Sequence, residues 1–208
     1  AMKMVAAAKL RRAREQAEAA RPYAEAMERM LASLAASMPQ GSEAPRLLSG
    51  TGKSQAHLIV VATSDRGLCG AFNSSIVRAT RRRVRELQAN GMQVKLLFVG
   101  RKGFEQLQHE FGRLSIGRND IKGGRLAYGD ADAVAFRLAE LFDSGEFDVA
   151  HIVYNQFKSA ISQVVTFQQL IPLPLPENKG DGSAVYDYEP EENELLAELL
   201  PRNLGMQV

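Results

Sequence analysis

Leu58-Ile59-Val60-Val61-Ala62-Thr63-Ser64-Asp65-Arg66-Gly67-Leu68-Cys69-Gly70-Ala71-Phe72-Asn73 changes character after its fifth residue. The opening apolar run is what a strand covered on both faces of a parallel sheet requires. A polar, glycine-containing loop follows, and then Ile76, Val77, Thr80, Val84 and Leu87 recur at the spacing of one buried helical face, stopped by Asn90-Gly91. The pattern repeats downstream. Val94 to Val99 reads as a second strand, and Phe104, Leu107 and Phe111 mark a second, shorter helix. Asp130 is read as the cap of a third helix carrying Val134, Leu138, Leu141 and Phe142, ended by Ser144-Gly145. Val149 to Tyr154 reads as another strand, and Val164 to Leu170 as a further one, antiparallel at an edge. Strands alternating with helices predict an α/β domain with a parallel-rich sheet and right-handed crossovers.

The flanks are different. Ala1 to Met38 reads as one long helix, with Tyr23, Met27, Met30, Leu34 and Met38 on one face and a bend expected at Glu18 to Pro22. Ala1-Met2-Lys3-Met4 contains no capping residue, so the chain is expected to start inside that helix. Pro39 to Ser54 is a loop, and Ile171 to Gly182 is a second stretch rich in Pro and Gly. Glu189-Pro190-Glu191-Glu192 opens a short helix, and Pro201 restarts a pattern expected to run past Val208. These readings divide the chain into 1–54, 55–189 and 190–208.

Composition narrows the chemistry. The 208 residues are 45% hydrophobic and 24% charged, which suits a folded chain with a substantial core. One cysteine excludes a disulfide framework, and three separated histidines leave little material for a metal cluster. No apolar run reaches the roughly 18 residues of a bilayer span. The formal charge of +2 averages a basic first helix (Lys3, Lys9, Arg11, Arg12, Arg14, Arg21) and an acidic stretch at Glu177, Asp181, Asp187, Glu189, Glu191, Glu192, Glu194 and Glu198. Arg78, Arg81, Arg82, Arg83 and Arg85 stud the second helix without the interleaved aromatics of a single-strand nucleic-acid binder, so solvated or protein-facing surfaces are the expectation.

Two loops invite a phosphate reading. Ser64 to Asn73 lies where a buried strand meets a helix, the position at which open α/β sheets bind ligands. Gly67-x-x-Gly70 is nevertheless not the dinucleotide fingerprint, and Val99-Gly100-Arg101 lacks the acid that would hold a ribose; Arg101 and Lys102 suit a 2′-phosphate instead. Gly50-Thr51-Gly52-Lys53-Ser54 imitates a P-loop, but its first glycine position holds Leu47 and it precedes a strand. Cys69 near a helix start is a candidate low-pKa thiol, and His57 and His151 are candidate bases if the fold brings them together. A buried thiol and ordinary strand histidines are the plainer reading.

Ala1-Met2-Lys3-Met4-Val5-Ala6-Ala7-Ala8-Lys9-Leu10-Arg11-Arg12-Ala13 and Ser64-Asp65-Arg66-Gly67-Leu68-Cys69-Gly70 together resemble the γ subunits of rotary F-type ATP synthases. Phe147-Asp148, Tyr154 to Ser162 and Leu195 to Arg202 extend the resemblance along the whole chain. It implies a Rossmann-like three-layer domain, with long N- and C-terminal helices forming an antiparallel coiled coil, the C-terminal helix continuing beyond Val208. It also implies a central rotor shaft that catalyses nothing and holds no cofactor or metal, coupling rotation of the membrane c-ring to conformational cycling of the β subunits. The implied partners are the α and β subunits, the ε subunit, the c-ring and an inhibitory subunit, with no nucleic acid. The implied place is a bacterial inner membrane, peripheral on the cytoplasmic face, or the matrix side of its mitochondrial counterpart. By position, Met2, Lys3, Lys9 and Arg12 match the family's axle segment near the β levers, while Arg66, Gly67, Cys69 and Gly70 match the signature turn against the lower hexamer. The alternative from residues alone is a phosphate- or dinucleotide-binding α/β enzyme built on the Ser64 to Asn73 loop.

Overall fold

The apolar run becomes β1 (Ala56–Ala62), central in a five-stranded sheet of order β3-β2-β1-β4-β5. The computed structural model describes residues 4, 8, 11, 15, 22, 24–33, 45–120, 128–159, 162–174, 199–204 and 207. Helix α1 covers 24–33, and α2 (Arg46–Ser49) is one turn inside the stretch read as loop. After β1 come α3 (Phe72–Ala89), β2 (Gln93–Val99), α4 (Arg101–Phe111), a 3-10 turn, β3 (Ser115–Asn119), α5 (Tyr128–Asp143), β4 (Val149–Ser159) and β5 (Ser162–Ile171). Residues 199–204 form α6.

The first four strands are parallel, and β5 returns antiparallel to β4. Side chains alternate across a strand, so β1 serves two cores. Ile59 and Val61 face Ile76, Val77, Val84 and Leu87 of α3, with Leu107 and Phe111 of α4. Leu58 and Val60 face Val134, Leu138 and Phe142 of α5, with Leu204 of α6. Helices on both faces of a mainly parallel sheet make the three-layer arrangement expected. Every inward residue assigned to α3 from the sequence is buried.

Some expectations needed correction. Asp130 does not cap α5; the helix begins two residues earlier at Tyr128, and Asp130 lies in its first turn, where a carboxylate favours the dipole. Strand β3 escaped notice because Ser-Ile-Gly-Arg-Asn offers one apolar residue. It is an edge strand whose Ile116 carbonyl accepts from Arg137 at 2.8 Å. In α1 the buried residues are Met27, Leu31 and Ala32, whereas Met30 is exposed, so its face follows the i, i+4 step. Met27 and Leu31 pack with Leu173 and Leu200, bringing α1 and α6 into one cluster. Pro22 is helical, but the rest of the expected bend at Glu18 to Pro22, the face residues Tyr23, Leu34 and Met38, and the helix opening at Glu189 lie outside the described residues.

Asp148, from the motif Phe147-Asp148, fixes the entry to β1. Its carboxylate accepts from the backbone N–H of Gln55 and Ala56, each at 2.9 Å, and from Thr51 Oγ1 at 2.7 Å. The P-loop-like segment is thus folded onto an acid, the opposite of an anion cradle. The Thr51 hydroxyl and these backbone donors hold the Asp148 carboxyl below the usual carboxylate range. Replacing Asp148 with alanine removes charge-assisted bonds and leaves two backbone donors without their acceptor, so a loss of about 2 to 3 kcal/mol is expected in urea unfolding. A loss under 0.5 kcal/mol would show that water replaces the carboxylate freely.

Candidate partner-docking loop at the end of the central strand

Beyond β1 the chain turns through Thr63 to Ala71 and enters α3, while β2 ends next door in Gly100 and enters α4. Thr63 is buried and locks the two turns together. Its N–H donates to Val99 O at 2.9 Å, and its hydroxyl accepts from Gly103 N at 2.8 Å. Lys102 N donates to Ser64 O at 3.0 Å, and Arg101 N to Asp65 Oδ1 at 2.9 Å. Three consecutive first-turn donors of α4, the groups that would cradle a phosphate, are therefore already engaged by the chain itself.

Asn73 closes the other side. Its Oδ1 accepts from Ser64 N at 3.0 Å, and its Nδ2 donates to Ser64 Oγ at 2.9 Å and to Cys69 Sγ at 3.1 Å. Cys69 is exposed, not the buried thiol expected from the sequence, and Ser64 Oγ donates to Arg66 O at 2.6 Å. Leu68 is fully exposed and, although not glycine, has φ 63; Gly70 has φ 59. These neighbours hold a left-handed conformation that costs a leucine roughly 1 to 2 kcal/mol.

Strand order reverses between β1 and β4, which is where a doubly wound sheet opens a ligand crevice. Here β4 continues past the end of β1, and Asn155 Nδ2 reaches Phe72 O at 2.9 Å and Ser75 Oγ at 3.2 Å in the first turn of α3. The crevice is bridged by protein. A nucleotide at this point would have to displace Asn155 and the donors held by Thr63, Ser64 and Asp65.

The histidines do meet. His57 and His151 lie on adjacent strands, their rings stacked with centroids 6.4 Å apart. His57 Nε2 is 3.0 Å from Ser54 O. Among the described residues, no carboxylate hydrogen-bonds either ring. Burial, Arg83 and His57 together lower the pKa of His151 to about 4, which leaves it neutral near pH 7. Among the α3 arginines, Arg81 and Arg85 grip Glu110 of α4 at 2.7 and 2.6 Å, while Arg82 and Arg83 approach Glu86 at 3.8 and 3.7 Å.

Sequence reasoning thus located the loop containing Arg66, Gly67, Cys69 and Gly70, all of them exposed in the structure. It missed the residues that shape it, Thr63, Gly100, Gly103 and Asn155. The pairing of Val99-Gly100 with Thr63-Ser64 at neighbouring strand ends was the available signal. Met2, Lys3, Lys9 and Arg12 lie outside the described residues.

The body is thus a folded α/β domain whose strand-end crevice is bridged by its own groups and whose Arg66 to Gly70 turn is exposed. The family model described as ATP synthase matches residues 1–208. The chain is 51% identical over 210 residues to the ATP synthase gamma chain of Chelativorans sp. (strain BNC1), covering 100% of this chain and 72% of that relative. To the ATP synthase gamma chain of Paracoccus denitrificans it is 53% identical over 209 residues, with the same 100% and 72% coverage. A chain in the central stalk and c-ring structure of the Tetrahymena thermophila mitochondrial ATP synthase superposes with a TM-score of 0.60 at 26% identity, over 92% of this chain and 88% of that one. These matches define a non-catalytic subunit of the central stalk, coupling rotation to the catalytic subunits. The chain belongs to the ATP synthase gamma chain family.

Proposed function

We propose that the shaft is an antiparallel coiled coil of the N- and C-terminal helices turning inside the α/β hexamer, with 1–54, 55–189 and 190–208 as its helical arm, body and second arm. The meeting of α1 and α6 through Met27, Leu31 and Leu200 supports this reading. Residues 4, 8, 11 and 15 are helical as well, and Arg11 pairs with Glu15 at 3.1 Å. Met2, Lys3, Lys9 and Arg12 face the acidic levers of the β subunits, and Arg66, Gly67, Cys69 and Gly70 present the turn against the lower hexamer. Cations opposite acidic levers give attraction that salt and water screen, so contacts form and release as the shaft turns. An asymmetric axle then biases the β subunits toward different conformations in sequence.

The body docks on the ε subunit and the c-ring, with an inhibitory subunit as a further partner, on the cytoplasmic face of a bacterial inner membrane. Among the described residues no helix is long and apolar enough to cross a membrane, which suits a peripheral attachment. The test uses the full-length chain assembled with α and β, with Cys69 replaced by serine and one cysteine placed at Lys9. Oxidative cross-linking of that cysteine to a β lever is expected to abolish multi-turnover ATP hydrolysis, and reduction to restore it. Hydrolysis that continues with the link intact would overturn the rotor reading.

A further inference from the structure

Among the described residues, helices α3 and α4 cover one sheet face over β1, β2 and β3, while α3 reaches only part of β4 and β5 on that face and no further described helix lies over the rest. Strand alternation and the register Val153↔Phe167 and Asn155↔Val165 put His151, Phe167, Val165 and Phe157 on this uncovered side. Phe167 and Val165 are half-buried against the core, and Phe157 is 42% exposed. Beside α3 the strip deepens into an open groove lined by Ala79, Arg82, Arg83, Glu86, His151 and Phe167. The neutral state of His151 keeps its floor uncharged.

The rim is basic. The Arg82 side chain is 77% exposed and reaches Glu86 only at 3.8 Å, the same carboxylate that Arg83 approaches. Arg78, one helical turn away, is exposed and makes no ion pair among the described residues. Glu86 is the acid in the groove, and it is already shared by two guanidinium groups.

We propose that this groove receives an amphipathic helix of a companion chain in the assembly, seated where a further helix of the sheet would lie, with carboxylates along the flank facing Arg82 and Arg78. Sheet faces are stable when another layer covers them, and an α/β groove between a helix and a bare strand pair takes a helix by its i, i+3, i+4 apolar positions. From Phe157 to His151 the strip runs about 20 Å, which a helix of roughly thirteen residues spans. Charge complementarity at the rim selects the acidic flank and fixes the orientation. This proposal rests on the chain acting within the ATP synthase assembly.

The experiment places the photoreactive p-benzoyl-phenylalanine at Phe157 in the intact membrane-bound complex, with the same group at Phe136, an exposed aromatic on α5, as the reference. Irradiation is expected to link position 157 to a helical, acid-flanked peptide of a companion subunit, identified by mass spectrometry, at least tenfold more than position 136 links to the same peptide. Arg82→Glu should reduce that product at least tenfold, while Arg82→Lys should leave it within twofold. Because the Arg82 side chain lies largely in water, neither change threatens folding. If the chain co-purifies with α and β and hydrolyses ATP but position 157 links to nothing, or to a segment without acidic residues, the groove proposal fails and the rotor reading stands. A link insensitive to Arg82→Glu likewise overturns it. Failure to co-purify with α and β would remove both.

Discussion

Gly100→Ala is expected to destabilise the domain by at least about 3 kcal/mol, the steepest loss of any single methyl addition considered for this fold. Gly100 joins β2 to α4 with φ 83, and a Cβ there would stand 2.0 Å from Thr63 O and 2.8 Å from Thr63 C. Those atoms are backbone, fixed by the hydrogen bond from Thr63 N to Val99 O, and they have nowhere to move. Gly91 supplies the comparison. Its φ is 75 with nothing within 4 Å of an added Cβ, so Gly91→Ala carries only the left-handed penalty of about 1 to 2 kcal/mol. Urea unfolding of both variants measures the difference. Equal losses would mean that the two turns are not in the close contact described.

Acidification supplies the second large effect. The folded pKa of His151 is about 4, below its ordinary value of 6.5, so between those limits the unfolded chain binds a proton that the folded chain refuses. Stability is therefore expected to fall as pH drops from about 6.5 to about 4, by up to about 1.4 kcal/mol per pH unit from this group and roughly 3 kcal/mol across the window. His57, whose pKa is also lowered, chiefly by burial, adds to the slope in the same direction. Asp148 acts in a different range, because its depressed pKa stabilises the fold above the ordinary carboxylate value and loses that contribution as pH falls through the folded value. His151→Gln should flatten the curve between pH 6.5 and 4 while leaving the steep loss below it. A curve unchanged by that substitution would assign the acid sensitivity elsewhere.

The parts of the fold that were legible from sequence are those where one physical requirement dominates. An apolar run as dense as Leu58 to Ala62 has few alternatives to a buried strand, and the α3 face from Ile76 to Leu87 repeats closely enough to name every inward residue. Strand β3 and the one-turn helix α2 are held by neighbours, Arg137 on Ile116 O in one case and Leu173 N on Leu47 O in the other, and local pattern carries no trace of either. The extension of β4 beyond Tyr154 belongs to the same class. Asn155, Gln156 and Phe157 break strand patterning, yet pairing with β5 through Val165, Val164 and Gln163 keeps them extended. The site shows the same division. Gly67 and Gly70 announce a tight loop, but whether it receives a phosphate depends on Gly100, Gly103 and Asn155, each from another element. The contact role for this loop comes from family resemblance, as a proposal, and not from spacing.

The loop from Ser64 to Ala71 has one more consequence. Its polar groups are satisfied from within by Asn73 and Ser64, and its backbone at Leu68 and Gly70 already holds left-handed angles. A surface set in advance surrenders little chain freedom when another surface presses on it, and it recovers none when that surface leaves. Ordering entropy, the term that makes many interfaces slow to rebuild, is nearly absent at this turn. Under the contact role proposed above for this turn, such a loop would act as a hard bearing, giving contact without hysteresis.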